Sequence, residues 1–215
     1  MMLKIWGRRN SSNVQKVMWL IGELEIPHER IDAGGSYSKL DSPEFRHLNP
    51  HGKIPVLEDG GLVIWESHAI LRYLAARYGA EHFWPTDLAV RATGDQWIEW
   101  TQTTLLRGFS DVFWGFYRTP EQERDPAFIK GALARLNGDF ELLDGILAGR
   151  RFLLGDQLSL ADIPAGMALY RYFEMEIARP SLPNVEAWYA ELQKREAYRA
   201  HVMVPFDELY GRLSF

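Results

Sequence analysis

Ile54-Pro55-Val56-Leu57-Glu58-Asp59-Gly60-Gly61-Leu62-Val63-Ile64-Trp65-Glu66-Ser67-His68-Ala69-Ile70 is the stretch that decides the fold. Two short apolar runs, 54–57 and 62–65, read as strands, and Asp59-Gly60-Gly61 between them supplies a tight hairpin turn. Ser67 to Tyr78 then reads as a helix, with Ala69, Ile70, Leu71, Tyr73, Leu74 and Tyr78 forming its apolar face. Upstream, Leu3 to Trp6 is a strand ended by Gly7. From Asn13 the apolar residues Val14, Val17, Met18, Leu20, Ile21 and Leu24 keep helical spacing, with Ser11 or Ser12 as the N-cap. His28 to Ile31 is a second strand after the Pro27 turn, and the loop that follows holds a short helix around 42–47.

The order β-α-β-α-β-β-α predicts a mixed sheet with helices packed on it. Beyond residue 80 nearly everything reads as helix. One long helix is expected over about 88–117, another over 120–147, and two or three shorter ones after that, with Pro180 and Pro183 marking a break. The expected division is an α/β domain over 1–80, a linker over about 79–87 that contains Pro85, and an all-helical domain over 88–215.

The chain has 215 residues, 47% hydrophobic and 25% charged, with a net charge of −5. A phosphate backbone demands a basic face, so nucleic acid is not the expected partner. The absence of cysteine excludes disulfides, zinc–thiolate sites and any redox Cys pair, so thiol chemistry would need a thiol from a ligand. No apolar run is long enough for a membrane span, and MMLKIWGRR is too short in apolar residues for a signal peptide. A cytoplasmic protein with no metal and no membrane partner is the expectation.

Three segments carry chemistry. Gly7 to Asn13 leads a strand into a helix N-terminus, where free N–H groups and the helix dipole favour an anion such as a thiolate. Ser11, Ser12 and Asn13 equally suit plain helix capping. In the second segment, Ile54-Pro55 opens a strand behind Lys53. A cis bond there would leave the Ile54 N–H and C=O free to pair with a peptide-like ligand, and Lys53 could hold a carboxylate; an ordinary loop with a solvated lysine fits as well. The third, Glu66-Ser67, sits where a strand ends and a helix begins. Ser67 with the first helical N–H groups suits a carboxylate and Glu66 an ammonium, although the pair could simply cap the helix. All three leave one end of the predicted sheet. Together they match glutathione: a thiol, a peptide backbone with a free carboxylate, and an amino-acid head.

At these residues the chain resembles the soluble glutathione transferase superfamily, specifically its bacterial serine-type (theta- or nu-like) members. Asn49-Pro50 with Lys53-Ile54-Pro55-Val56-Leu57, and then Trp65-Glu66-Ser67-His68-Ala69-Ile70-Leu71-Arg72-Tyr73-Leu74, is similar to that family's glutathione-binding signature. The resemblance implies a thioredoxin-like N-terminal domain, a cis bond at Pro55, backbone pairing at Ile54, and γ-glutamyl binding by Glu66 and Ser67. It also implies contact of Lys53, and secondarily His51, with the glycyl carboxylate. Gly155-Asp156-Gln157-Leu158-Ser159-Leu160-Ala161-Asp162-Ile163 is similar to a helix-starting motif of the helical domain. It reads as a capping box of Ser159 and Asp162 with a Leu158/Ile163 staple.

For the thiol-activating residue the resemblance points to Ser11 first and Asn13 second, with Asn10 or Ser12 behind them. Leu105, Phe109, Phe113, Trp114 and Tyr117 form a stripe that would line an electrophile pocket or simply pack as core. Arg107 and Arg118 would face a polar substrate, the glutathione carboxylates of a neighbouring subunit, or solvent. The implied activity is attack of the bound thiolate on a small electrophile, serving detoxification by a homodimer. Glutathione-dependent disulfide or peroxide reduction, and a non-catalytic binding module, are the competing readings.

Overall fold

The computed structural model describes residues 2–214. β1 (Leu3–Trp6), α1 (Ser12–Glu23), β2 (His28–Ile31), α2 (Pro43–Leu48), β3 (Val56–Asp59), β4 (Leu62–Trp65) and α3 (Ser67–Tyr78) follow in the predicted order. The sheet order is β2-β1-β3-β4, with β1 and β2 parallel and the other pairings antiparallel. Gly60 and Gly61 both take positive φ, 58° and 94°, as a two-residue hairpin requires. Ser42 caps α2 by accepting from the Phe45 N–H, and Pro43 occupies the first turn, where its missing N–H costs nothing.

Two boundaries and one helix cap differ from the sequence reading. The third strand begins at Val56, not Ile54, because Pro55 has no N–H to give a ladder; the Ile54–Pro55 bond is cis. The helix expected from residue 120 begins at Pro126, where the Asp125 carboxylate accepts from the N–H groups of Ala127 and Phe128; residues 121–123 form a separate short turn. Of the capping box, the reach-back half forms, with the Ser159 N–H donating to Asp162 at 2.9 Å. The Ser159 hydroxyl goes to the same carboxylate instead of to the backbone, and Asp162 also accepts from the Leu153 N–H.

An all-helical domain completes the chain: α4 (Leu88–Trp100), α5 (Leu106–Val112), α6 (Pro126–Leu147), α7 (Asp162–Glu174), α8 (Pro183–Gln193) and α9 (Glu196–His201). The predicted 88–117 helix is helical throughout, but α4 and α5 are joined by a wide π-helical turn at Thr101–Leu105, and a second follows α5 at Phe113–Arg118. Such turns are rare in ordinary helices and gather at functional sites.

Helix α1 is the element both domains share. It is buried on every side from Val14 to Ile21. Trp19 packs edge-on against Tyr198, 4.8 Å between ring centres, and Arg195 pairs with Glu23 at 2.6 Å. Arg72 of α3 reaches Asp95 and Glu99 of α4, closing the same interface from the other side. The start of α1 therefore stands at the domain junction.

Candidate active site

A cleft of about 690 Å³ opens at that junction. One wall is the loop before α1, with Ser11, Ser12 and Asn13; the other is α5 and its flanking turns, with Phe109, Phe113 and Trp114. Gly7 makes the loop possible: a side-chain carbon on it would stand 2.4 Å from a Val14 methyl and 3.4 Å from Ile54 Cβ.

The polar side chains of this loop are not equally engaged. Asn10 donates to Glu208, and its carbonyl accepts from Arg171. The Ser12 hydroxyl accepts from Arg171 at 2.9 Å. Asn13 Oδ1 accepts from the Ser67 hydroxyl at 3.5 Å. Ser11 caps α1 by position, with its carbonyl accepting from the Gln15 N–H. Its hydroxyl makes no capping bond and has no other side-chain partner among the described residues.

Contacts join the three predicted segments pairwise. Asn13 meets Ser67, Gly7 lies against Ile54, and the His51 ring sits 5.0 Å from that of Trp65, next to Glu66. Ile54 precedes the first paired residue of β3, so its peptide lies outside the ladder. Lys53, His51 and Glu66 are exposed. The Lys53 carbonyl is fixed by the Asn49 side-chain amide at 2.8 Å. Glu66 takes φ 72°, a conformation that costs a non-glycine residue about 1–3 kcal/mol. It stands at the N-cap of α3, whose first N–H groups have no helical acceptor. Lys53, Ile54, Pro55, Glu66, Ser67 and His51 lie outside the lining of the cleft; Asn13 links the two regions.

Of the aromatic stripe, Phe109, Phe113 and Trp114 line the cleft. Tyr117 does not. Its ring is stacked on Phe113 and held against Phe206 and Tyr210, and fully buried Leu105 packs as core, the other expectation for the stripe. Arg107 and Arg118 both line the cleft, the latter with its guanidinium 4.3 Å over Trp114.

Two groups escaped the sequence reading. Lys16 is fully buried in α1, with Nζ 3.0 Å from His68 Nε2 and 3.4 Å from the Ser67 hydroxyl. Burial pushes its amine down to about 7, against a smaller opposing pull from Glu66. Burial and then the Lys16 charge hold His68 down to about 3, so its ring is neutral and accepts at Nε2. The second is Arg171, also buried, which ties α7 to the loop before α1. The hydrophobic positions of α1 imply one covered face, whereas α7 and α9, from the far end of the chain, cover the other. Only a polar Gln15-Lys16 pair next to the fully apolar run hints at it.

Comparisons with known proteins agree along the whole chain. Residues 1–76 match the family model described as glutathione S-transferase, N-terminal domain, and residues 106–196 match that for the C-terminal domain. The chain is 38% identical over 206 residues to the glutathione S-transferase GstB of Escherichia coli K12, covering 95% of this chain and 99% of that one. It is 34% identical over 165 residues to glutathione S-transferase theta-1 of Rattus norvegicus, covering 71% and 66% respectively. A theta-class glutathione S-transferase of Xanthomonas axonopodis pv. citri, solved with glutathione bound, superposes with a TM-score of 0.89 at 46% identity, covering 94% of this chain and 98% of that one.

Proposed function

The chain belongs to the glutathione S-transferase family and is a glutathione transferase, and from that premise we propose that Ser11 is the residue that hydrogen-bonds the sulfur of glutathione. One observation carries this: of the two serine hydroxyls on this loop of the cleft wall, that of Ser12 accepts from Arg171 at 2.9 Å, whereas that of Ser11 makes no capping bond and has no side-chain partner among the described residues. A hydroxyl donating to sulfur at a helix N-terminus favours the thiolate over the thiol, whose ordinary pKa is about 8.5.

In this reading Glu66 takes the ammonium of the γ-glutamyl head, and Ser67 with the first N–H groups of α3 takes its carboxylate. The Ile54 peptide, shaped by Pro55, pairs with the cysteinyl backbone. Lys53, with His51 beside it, meets the glycyl carboxylate. Phe109, Phe113 and Trp114 hold the electrophile. The thiolate attacks the electrophilic carbon, the S–C bond forms, the leaving group departs with its bonding pair, and the thiol proton passes to solvent. Holding both partners in one cleft supplies much of the acceleration.

The division into 1–80 and 88–215, with 79–87 between, belongs to the same reading, as do a cytoplasmic setting, a role in detoxification and a homodimer. Among the described residues no helix is long and apolar enough to cross a membrane. Exposed Leu62, Val63, Leu88 and Val90 offer apolar surface for a second copy to cover.

Conjugation of an aryl halide such as chlorodinitrobenzene tests the assignment. Ser11→Ala is expected to lower kcat by roughly 10- to 100-fold, the worth of one hydrogen bond to a charged group. Ser12→Ala and Asn13→Ala are expected to lose less. An unchanged Ser11→Ala enzyme beside an inactive Asn13→Ala enzyme would overturn it.

A further inference from the structure

The chain carries a net charge of −5, yet the wall of its cleft is basic. Arg8, Arg107, Arg118 and Arg171 line it, and among the described lining residues Asp111 is the one carboxylate, already paired with Arg135 at 3.4 Å. Arg171 is the deepest of them. Its guanidinium is packed between Phe113, at 5.0 Å, and Phe206, at 5.3 Å, and two of its nitrogens hold the loop that carries Ser11. Its third nitrogen, Nε, is buried with no hydrogen-bond partner among the described residues. Burial and then the neighbouring charges of Arg8 and Arg118 pull Arg171 down to about 10, and burial and then Arg118 pull Arg8 down as well. A low-dielectric cleft with like charges on its wall concentrates field and draws in an anion.

Resting on the transferase reading above, we infer that the electrophile this enzyme takes carries an anionic group, a carboxylate or a related oxyanion, held by Arg171 and Arg118 while its apolar body lies on Phe113 and Trp114. The aromatic wall supplies area, the arginine charges supply the attraction, and Arg171 Nε is a donor whose bond is not yet made. With para-(chloromethyl)benzoate as the anionic probe, the glutathione sulfur bonds to the benzylic carbon, chloride leaves with the C–Cl pair, and the thiol proton goes to solvent. The carboxylate is untouched by the reaction and serves only as the handle.

The test compares the two thioether products as ligands, so that it does not depend on turnover. Binding of S-(para-carboxybenzyl)glutathione and S-(para-methylbenzyl)glutathione is measured by calorimetry at low and high salt. Exposed Arg107 and buried Arg118 are each replaced by Gln, and thermal melting of both variants is checked. The carboxybenzyl ligand is expected to bind at least about tenfold more tightly, with the preference shrinking in salt and in Arg118→Gln. Should Arg118→Gln fail to fold, Arg107→Gln still reads the salt-dependent preference. Equal binding of the two ligands overturns the anionic-handle inference and leaves the glutathione site standing. So does a loss in the variants that falls equally on both ligands, because the arginines would then serve the glutathione moiety. Binding of neither ligand overturns the inference and the glutathione reading together.

Discussion

The sheet edge proposed to hold glutathione and the cleft proposed to hold the electrophile meet at Asn13, but they are built in opposite ways. The sheet edge consists of exposed side chains and uncommitted backbone: Lys53, His51 and Glu66 face outward, and the Ile54 peptide lies outside its ladder. Its residues come from short contiguous segments whose local turns place them. The cleft consists of buried cations and stacked rings drawn from 8 to 209 along the chain, and Arg171 must cross from α7 to the loop before α1 to complete it. Local turn chemistry can present a peptide ligand with hydrogen bonds. Holding charge on an apolar wall needs the packing of a whole domain.

Substitutions at the two regions are expected to separate in kind as well as size. The largest effect falls where they share a reactant: Ser11→Ala lowers kcat for every electrophile, neutral or anionic, whereas a loss confined to one substrate class would break the comparison. Glu66→Gly comes next. Glycine is at ease at φ 72°, so the variant is expected to melt higher by about 1 kcal/mol while KM for glutathione rises about tenfold and KM for the electrophile stays put. A rise in electrophile KM instead would show that the two regions are not separable. Asn13→Ala is expected to cost only a few-fold, mostly in glutathione KM, since its partner is Ser67 at 3.5 Å.

The buried Lys16–His68 pair gives a pH signature to the sheet-edge side. His68 is held at about 3 in the fold against an ordinary 6.5, so between those values the unfolded chain binds the extra proton. The contribution of His68 is complete above pH 6.5 and lost as pH falls toward 3. Lys16, lowered from 10.5 to about 7, makes stability rise as pH climbs through that interval. Urea melts across pH should show both slopes, and Lys16→Met should flatten the alkaline one. An unchanged alkaline slope in that variant would place its origin elsewhere. Smallest of all is the expected effect of Tyr117→Phe on either KM, because the ring is turned to Phe206 and not to the cleft.

The sheet, its hairpin and the placement of the three candidate segments are legible because each rests on local rules: glycines in a turn, proline at a strand entry, a serine at a helix start. A cap next to a proline marks the helix starts at Ser42-Pro43 and Asp125-Pro126, and at the second the apolar spacing alone runs the helix back to residue 120. The π-helical turns at Thr101–Leu105 and Phe113–Arg118 leave no trace in residue spacing, since the apolar period barely changes across them. For Tyr117 the spacing leaves pocket and core open, because residues four apart on a helix look the same whether they face a cleft or a distant segment. Lys16 and Arg171 were invisible for a related reason. Their burial is decided by α3, α9 and the far end of the chain, and one-dimensional periodicity carries no such pairing.

The central claim is that the uncommitted Ser11 hydroxyl stabilises the thiolate at the junction of the two regions. Titrating the ultraviolet thiolate absorbance of bound glutathione against pH, in the wild-type protein and in Ser11→Ala, tests it most directly. The account predicts a bound thiol pKa well below the free value in the wild type and a clear rise toward it in Ser11→Ala, with glutathione still bound. The same depressed pKa in both proteins would contradict it.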